Sequence, residues 1–185
     1  MKGILLAVSG PSGVGKGTMV KTLIARRADV VESVSCTTRA PREGEVHGKH
    51  YFFLPREEFL RRIDEGDFLE YDEHFGNYYG TPKSFVRETL KEKCVIMEID
   101  VVGAKKAKES FPECVLVMVV PPSMDELKRR LQGRGSETQT QIEGRLARME
   151  YELSHIDEYD YVIVNDDLET AIKTLENIID GDMQK

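Results

Sequence analysis

The sequence predicts an α/β fold built on a parallel five-stranded sheet flanked by helices. Short apolar runs alternate along the chain with amphipathic stretches of helical period, and this alternation is typical of strands joined by helical crossovers. The runs are continuously apolar, as expected for strands that are buried on both faces. With 185 residues, 40% of them hydrophobic and 32% charged, the chain is predicted to form a single domain, 1–185, with a substantial core.

Each strand of the sheet is predicted from one apolar run. Four of these runs are distinct, and the fifth, near 30–35, is shorter and less regular; in chain order their positions are 4–8, 30–35, 94–97, 115–120 and 161–164. Pro121 and Pro122 end the fourth run. Ser123 and Glu126 follow as a capping box, which predicts that a helix begins there.

Helices are predicted in the intervals between these strands. Residues 16–28 have helical character, and 55–65 predict a short helix that ends at Gly66. Two later stretches place apolar residues at steps of three and four, which is the spacing of one buried helix face. They are Ile142, Leu146, Met149, Leu153 and Ile156, and then Leu168, Ala171, Ile172, Leu175, Ile178 and Ile179.

Two regions interrupt the alternation. Residues 35–81 are rich in aromatics, glycine and arginine and predict a small antiparallel insertion. Residues 133–140 are polar and contain glycine, as expected of a mobile lid, and they belong to a lid region at 130–148. The predicted organisation is therefore a core, formed by 1–34 and 82–185, that carries an insertion and a lid.

A phosphate-binding loop is predicted between the first strand and the first helix. The pattern G-x-x-x-x-G-K stands there, in the residues Gly10, Pro11, Ser12, Gly13, Val14, Gly15, Lys16, Gly17 and Thr18. Backbone N–H groups of such a loop surround phosphate oxygens, and the helix N-terminus favours negative charge. An ordinary glycine turn with a surface lysine is the alternative, but the strand–loop–helix context favours a P-loop NTPase fold that binds a nucleoside triphosphate.

The end of this loop departs from the common pattern. Many such loops place Ser or Thr directly after the lysine to bind Mg²⁺, whereas this chain has Gly17 there and a hydroxyl only at Thr18. This order is similar to that of adenylate kinases, in which the phosphates and water hold most of the magnesium. We therefore expect Mg²⁺ to accompany ATP, with Thr18 contributing through water.

A second group of functional residues is expected within the insertion. Arg39 and Arg42 are three residues apart and have hydroxyl side chains beside them, a combination that can bind a phosphate through fork-shaped hydrogen bonds. Glu45 follows closely and is expected to hold these two arginines in position.

From Gly3 to near its C-terminus, the chain resembles the guanylate kinases. The resemblance is carried by several motifs in the same order, and is therefore more specific than the phosphate loop alone. The matching segments are 35–46, 48–53, 68–71, 76–81, 99–103, 133–135 and 162–168. The resemblance implies transfer of the γ-phosphoryl group of ATP to GMP, and also to dGMP.

The same resemblance assigns roles to individual residues. Ser35, Arg39, Arg42, Tyr51 and Tyr79 would bind the phosphate of GMP, and Glu70 and Thr81 its guanine. Asp100 would orient either magnesium-bound water or the guanine end of GMP. On the donor side, Arg130 and Arg134 of the lid region are expected to contact ATP, and Asn165 and Asp166, which follow the last strand, to touch its adenine. Arg145 is expected to reach GMP.

The chemistry of guanine supports these roles. Guanine presents N1–H and N2–H₂ side by side, and the carboxylate of Glu70 can accept both, whereas adenine would leave it unpaired. The acceptor phosphate is already ionised near pH 7, so catalysis needs only alignment and charge neutralisation. Lys16, Arg39, Arg134 and Arg145 are expected to supply the positive charge. Two alternatives remain open: a kinase for another monophosphate, and a non-catalytic module that binds phosphopeptides.

The composition of the chain limits its possible binding partners and its cellular location. With a net charge of -7, the chain lacks the excess of basic residues that is typical of a general nucleic-acid binder. No apolar run approaches the ~18 residues of a membrane helix. Three cysteines without C-x-x-C spacing predict reduced thiols, and the apolar start is interrupted too early for a secretion signal, so we expect a cytoplasmic protein. Its oligomeric state stays open, and the four histidines do not predict a metal site.

Overall fold

The central feature of the protein, seen in a computed structural model, is a five-stranded parallel sheet. The structure describes residues 3–126, 129 and 139–183, without the side chains of 139–143, 145 and 146. The spatial order of the strands is β2-β7-β1-β8-β9. Their bounds are β1 Leu5–Ser9, β2 Val30–Glu32, β7 Cys94–Glu98, β8 Val115–Val120 and β9 Tyr161–Val164. All five predicted strands are present, so the α/β prediction is confirmed.

Helices cover both faces of this sheet. Because successive residues of a strand point to opposite faces, Leu6 and Val8 of β1 pack on one side, and Leu5 and Ala7 on the other. The first side packs on α1 and α6, and the second on α3 and α4. The helices whose bounds the structure gives are α1 Lys16–Arg26, α2 Arg56–Asp64, α3 Lys83–Thr89, α4 Val101–Ser110, α5 Gln139–Leu153 and α6 Leu168–Asp182. Residues 124–126 are helical as well.

A second sheet lies within the predicted insertion. Its order is β4-β3-β6-β5, with bounds β3 Cys36–Thr37, β4 Phe52–Phe53, β5 Phe68–His74 and β6 Asn77–Pro82. The antiparallel prediction is correct for β3–β6 and β5–β6 but wrong for β3–β4, which are parallel. Parallel strands require a long connection rather than a tight hairpin, and residues 38–51 provide it.

Aromatic packing holds the small sheet to α2. Phe59 of α2 stacks on Phe68 and on Tyr78, with ring centroids 4.4 Å and 5.4 Å apart. The guanidinium of Arg56 also lies over the Tyr78 ring, 4.6 Å from its centroid. Tyr78 is therefore a packing residue of the small sheet. Cys36 is buried in the same cluster, and this burial raises the pKa of its thiol to about 11.

The termini of several helices follow the sequence signals. Gly66, with a φ of 68°, follows α2 as predicted, and Ser123 accepts a 3.1 Å hydrogen bond from the N–H of Glu126. The predicted stripe that ends at Ile156 is divided, because α5 stops at Leu153 and Ile156 begins a short 3₁₀ helix. Most of the predicted lid segment 133–140 lies outside the described residues. None of the described helices is long and apolar enough to cross a membrane.

Candidate active site

The phosphate loop connects the end of β1 to the beginning of α1. Gly10 has a φ of 143°, and a Cβ there would lie 2.1 Å from the carbonyl oxygen of Val119. Gly15 has a φ of 99° and precedes the first helical residue, Lys16. Both positions therefore require glycine, one for its close approach to β8 and the other for its left-handed backbone. The loop is thus fixed against the carboxyl end of the sheet, where ligands of α/β proteins bind.

Lys16 extends back over its own loop. Its Nζ donates hydrogen bonds to the carbonyl oxygens of Gly10 and Pro11, the latter at 3.3 Å. Burial lowers the pKa of Lys16, while the nearby carboxylates of Glu98 and Glu152 oppose that shift. An incoming anion would replace the carbonyl oxygens as the partner of this ammonium group and would relieve its desolvation.

A large cavity opens in front of the loop, with a volume of about 830 Å³. Its walls combine the loop with residues from β7, α5 and the β7–α4 connection. This lining consists of Gly10, Ser12, Gly13, Gly15, Lys16, Gly17, Thr18, Lys21, Glu98, Ile99, Asp100, Arg148 and Glu152. Such a volume accommodates a nucleotide.

A smaller cavity of about 210 Å³ lies against the small sheet. It is lined by Glu70, Tyr71, Asp72, His74, Tyr79, Ile99, Asp100, Val102, Gly103 and Lys106. Asp100 belongs to both cavities, so the two meet at the beginning of α4. There its Oδ1 accepts a 2.9 Å hydrogen bond from the N–H of Gly103, while its Oδ2 lies 3.3 Å from Nη2 of Arg148.

Glu70 and Thr81 are paired across β5 and β6. The Oε1 of Glu70 accepts hydrogen bonds from the hydroxyl and the N–H of Thr81, at 2.7 Å and 3.1 Å. The hydroxyl of Ser35 lies 3.2 Å from that of Thr81. Ser35, expected at the phosphate, is thus placed beside the residues expected at the base. The hydroxyl of Thr81, which is expected to contact the guanine, donates its proton to Glu70 in this structure.

The surroundings of Glu70 raise the pKa of its carboxyl group above the usual range. Burial raises its pKa, whereas the hydrogen bonds from Thr81 and the charge of Lys106 lower it. A register shift between Phe68 and Glu70 interrupts the pairing of β5 with β6. Irregularities of this kind reorient a side chain, and here the shift immediately precedes Glu70.

Arg39 and Glu45 form a two-pronged ion pair at the other end of the small sheet. Both Nη atoms of Arg39 lie 2.9 Å from the carboxylate oxygens of Glu45, which also accepts the backbone N–H of Arg42 at 2.6 Å. These contacts lower the pKa of Glu45 to about 2. The guanidinium lies 5.5 Å from the ring centroid of Tyr51, and the rings of Tyr51 and Tyr79 are 6.1 Å apart. The structure therefore brings the side chains of Arg39, Tyr51 and Tyr79 together, with the backbone of Arg42 beside them.

The two residues after β9 differ in exposure. Asn165 is 5% exposed, and its Nδ2 donates a 2.7 Å hydrogen bond to the carbonyl oxygen of Val14 in the phosphate loop. Asp166 is exposed. Of the expected lid arginines, Arg130 and Arg134 lie outside the described residues, and Arg145 is part of α5 but its side chain is not described.

The structure adds residues that the sequence prediction did not include. Glu98 and Glu152 line the large cavity, and Lys106 lines the small one. The sequence does not distinguish Arg148 from a solvated helical arginine. In the structure its Nε lies 3.2 Å from Oε1 of Glu152, and its Nη2 lies 3.3 Å from Oδ2 of Asp100. A signal existed for Glu152, because this carboxylate lies three residues after Met149, next to the apolar stripe of α5, and it is only 6% exposed.

The parallel sheet and the phosphate loop define the fold of a P-loop NTPase, and two adjoining cavities open at the carboxyl end of its sheet. Comparison with known families identifies the acceptor. Residues 2–182 match the family described as guanylate kinase, and the chain belongs to the guanylate kinase family.

Individual relatives agree with this assignment. The chain is 48% identical to a guanylate kinase of Caldanaerobacter subterraneus subsp. tengcongensis, over 96% of this chain and 87% of that protein. It is also 48% identical to one of Clostridioides difficile, over 100% of this chain and 90% of the relative. The crystal structure of guanylate kinase from Anaplasma phagocytophilum is similar, with a TM-score of 0.72 and 36% identity, covering 100% and 88% of the two chains. The chain is thus an enzyme that phosphorylates GMP with ATP.

Proposed function

We propose that the two cavities divide this reaction between them, with ATP in the large cavity and GMP in the small one. The observation that supports the proposal is that Asp100 lines both cavities, so that a donor and an acceptor bound there would meet beside this residue. The γ-phosphoryl group would move across this junction. Neither the phosphopeptide module nor a kinase for another monophosphate is favoured beside the match to the guanylate kinase family.

On the donor side, the phosphates of ATP would lie on the loop from Gly10 to Thr18. Its backbone N–H groups and the N-terminus of α1 favour negative charge, and Lys16 would exchange its two carbonyl partners for phosphate oxygens. Arg130, Arg134 and Arg145 are proposed to complete the neutralisation of the moving group. Asp166, which is exposed, remains our candidate for a contact with adenine.

Mg²⁺ is the cofactor that we propose for the donor, and the residues beside the loop fit it. A Cβ at Gly17, the position where many loops carry a magnesium-binding hydroxyl, would lie 3.3 Å from Oε2 of Glu98. A carboxylate therefore occupies the space of the missing side chain, and oxygen ligands are those that Mg²⁺ prefers. Glu98 and Thr18 would hold the ion, directly or through its water. The ion would supply neutralisation of the β- and γ-phosphate charge.

On the acceptor side, Glu70 would accept N1–H and N2–H₂ of guanine through the oxygen that Thr81 leaves available. Ser35 and Thr81 stand beside it and would contact the same base edge. Arg39, Arg42, Tyr51 and Tyr79 would bind the phosphate, for which Glu45 holds the guanidinium of Arg39 in place. These groups bind only base and phosphate, so dGMP is proposed as a second acceptor.

We propose a cytoplasmic location for this reaction. The support comes from the three cysteines, all of which lie in the described part of the chain as buried, free thiols. Burial raises the pKa of each of them, to about 12 for Cys114. Such thiols are chemically inert and suit a reducing compartment.

Exchange of Asp100 tests the junction between the two cavities. Asp100→Ala should raise the KM values for both ATP and GMP, because this side chain lines both sites. A matched control is Asp72→Ala, whose residue lines only the small cavity and should affect GMP alone. If Asp100→Ala changes the KM for one substrate only, the proposed division of the cavities is wrong.

A further inference from the structure

Asn165 is connected to the phosphate loop by a long-range buried hydrogen bond. Its side-chain Nδ2 donates to the carbonyl oxygen of Val14 at 2.7 Å, across 151 positions of the sequence. Its own N–H donates to the carbonyl oxygen of Val120 at 2.8 Å, which fixes the residue at the end of β9 beside β8. Asn165 is 5% exposed and Val14 is fully buried, so this bond lies behind the loop rather than in the cavity.

The bond to Val14 determines the orientation of one peptide unit. The C=O and N–H of a trans peptide point in opposite directions. Because the carbonyl of Val14 points to Asn165, the N–H of Gly15 in the same peptide points away from Asn165. Gly15 lines the large cavity. The hydrogen bond therefore directs a backbone donor of the loop toward the space where phosphate is expected.

The absence of a side chain at Gly15 leaves space for the amide of Asn165. The φ of Gly15 is 99°, and a Cβ at this position would lie 2.5 Å from Nδ2 of Asn165. A side chain at position 15 would thus displace the amide from its partner. The glycine that is usually explained by phosphate approach also makes room for the asparagine on the opposite side of the loop.

We propose that Asn165 is a positioning residue for phosphate binding, which acts through the Val14–Gly15 peptide and not through contact with adenine. This inference rests on the proposed donor role of the loop. It differs from the adenine contact expected for Asn165, since one N–H of the amide is already donated to the loop. Replacement of Asn165 should weaken every ligand that carries a triphosphate by a similar factor, whatever its base.

The experiment compares MgATP with inorganic tripolyphosphate in calorimetric titrations of wild type and Asn165→Ala. Loss of one oriented donor to a charged group predicts affinity losses of roughly 10- to 100-fold for both ligands. In steady-state kinetics the KM for ATP should rise, while the KM for GMP stays within about 2-fold. Asn165→Asp, which puts an acceptor against the carbonyl of Val14, should be no better than alanine. Lys173→Ala, on the exposed face of α6, is the matched control.

The outcomes separate this inference from the proposed function. Equal losses for the two ligands support positioning of the loop. A loss for MgATP with unchanged tripolyphosphate affinity would show contact with the adenosine part and would overturn the inference, as would unchanged affinity for both. If the wild-type protein binds neither tripolyphosphate nor MgATP, the proposed binding of the donor phosphates by the loop is itself wrong. Melting temperatures of the variants identify any loss of fold. If Asn165→Asp does not fold, the affinities of Asn165→Ala alone test whether Asn165 positions the loop.

Discussion

The hydroxyl of Thr81 donates a 2.7 Å hydrogen bond to Oε1 of Glu70, and the N–H of the same residue donates to the same oxygen. One carboxylate oxygen is therefore satisfied within the protein. In the proposed complex, the other accepts the paired donors of guanine. Specificity for the base then depends on a partly buried carboxylate, and leaving such a group without a partner costs free energy, which allows strong discrimination.

Exchange of Glu70 for glutamine tests this arrangement with minimal change of shape. Glu70→Gln places an amide where the carboxylate should accept two donors, so kcat/KM for GMP should fall by about 100-fold or more. The KM for ATP should change little. Glu73→Gln on the exposed part of the same strand serves as the control. An unchanged KM for GMP in Glu70→Gln would show that Glu70 does not bind the acceptor.

The pKa of Glu70 predicts a pH dependence for recognition of the base. Burial raises this pKa, and the bonds from Thr81 lower it. Glu70 must be ionised to accept guanine donors, so affinity should decrease as the pH falls toward its pKa. Thr81→Val removes the hydroxyl bond, raises the pKa further and should move this loss to higher pH.

Guanosine is the suitable probe for this pH effect, because it lacks the phosphate that titrates near about 6. Titrations followed by NMR between pH 4.5 and 7.5 would compare wild type with Thr81→Val. Coincident curves for the two proteins would mean that Thr81 does not control the ionisation of Glu70.

The fork-shaped pair between Arg39 and Glu45 predicts that lysine cannot replace this arginine. Arg39→Lys retains the charge but loses the second hydrogen bond, so kcat/KM for GMP should fall roughly 10- to 100-fold. Arg56→Lys is a matched control in the same small sheet, since Arg56 packs on Tyr78 outside both cavities. Similar activity of the two lysine variants would argue against a phosphate role for Arg39.

Lys16 should be essential for transfer but not for folding. Lys16→Met keeps the apolar stem and removes a buried ammonium group whose pKa is lowered by desolvation, so the melting temperature should stay the same or rise. Loss of its charge should reduce kcat by about 100- to 1,000-fold. Lys173→Met, an exposed exchange, should leave both quantities unchanged. Normal turnover by Lys16→Met would exclude the proposed role.

The parts of the structure that depend on local sequence were predictable. Buried parallel strands need continuous apolar runs, which is why 94–97 and 115–120 were recognised, and the phosphate loop is a single segment. The short helix before Gly66 followed from turn chemistry in the same way.

Contacts between distant segments were not predictable from such patterns. The parallel pairing of β3 with β4 depends on the path of 38–51. The hydrogen bond from Asn165 to Val14 joins segments that are 151 positions apart in the sequence. A functional role for Glu98 is indicated only by its position beside Gly17 in the folded chain. Family resemblance indicated that Ser35 belongs to the acceptor site, but its place beside Thr81 rather than Arg39 requires the register of the sheets.

The most direct test of the account is an assay of ADP release with ATP as donor and GMP, dGMP, AMP, UMP or CMP as acceptor, for wild type and Glu70→Gln. Wild type should turn over GMP and dGMP and discriminate against the other three by at least about 1,000-fold in kcat/KM. Glu70→Gln should lose most of that preference. Comparable turnover of AMP and GMP by wild type, or an unaltered preference in Glu70→Gln, would contradict recognition of guanine by Glu70.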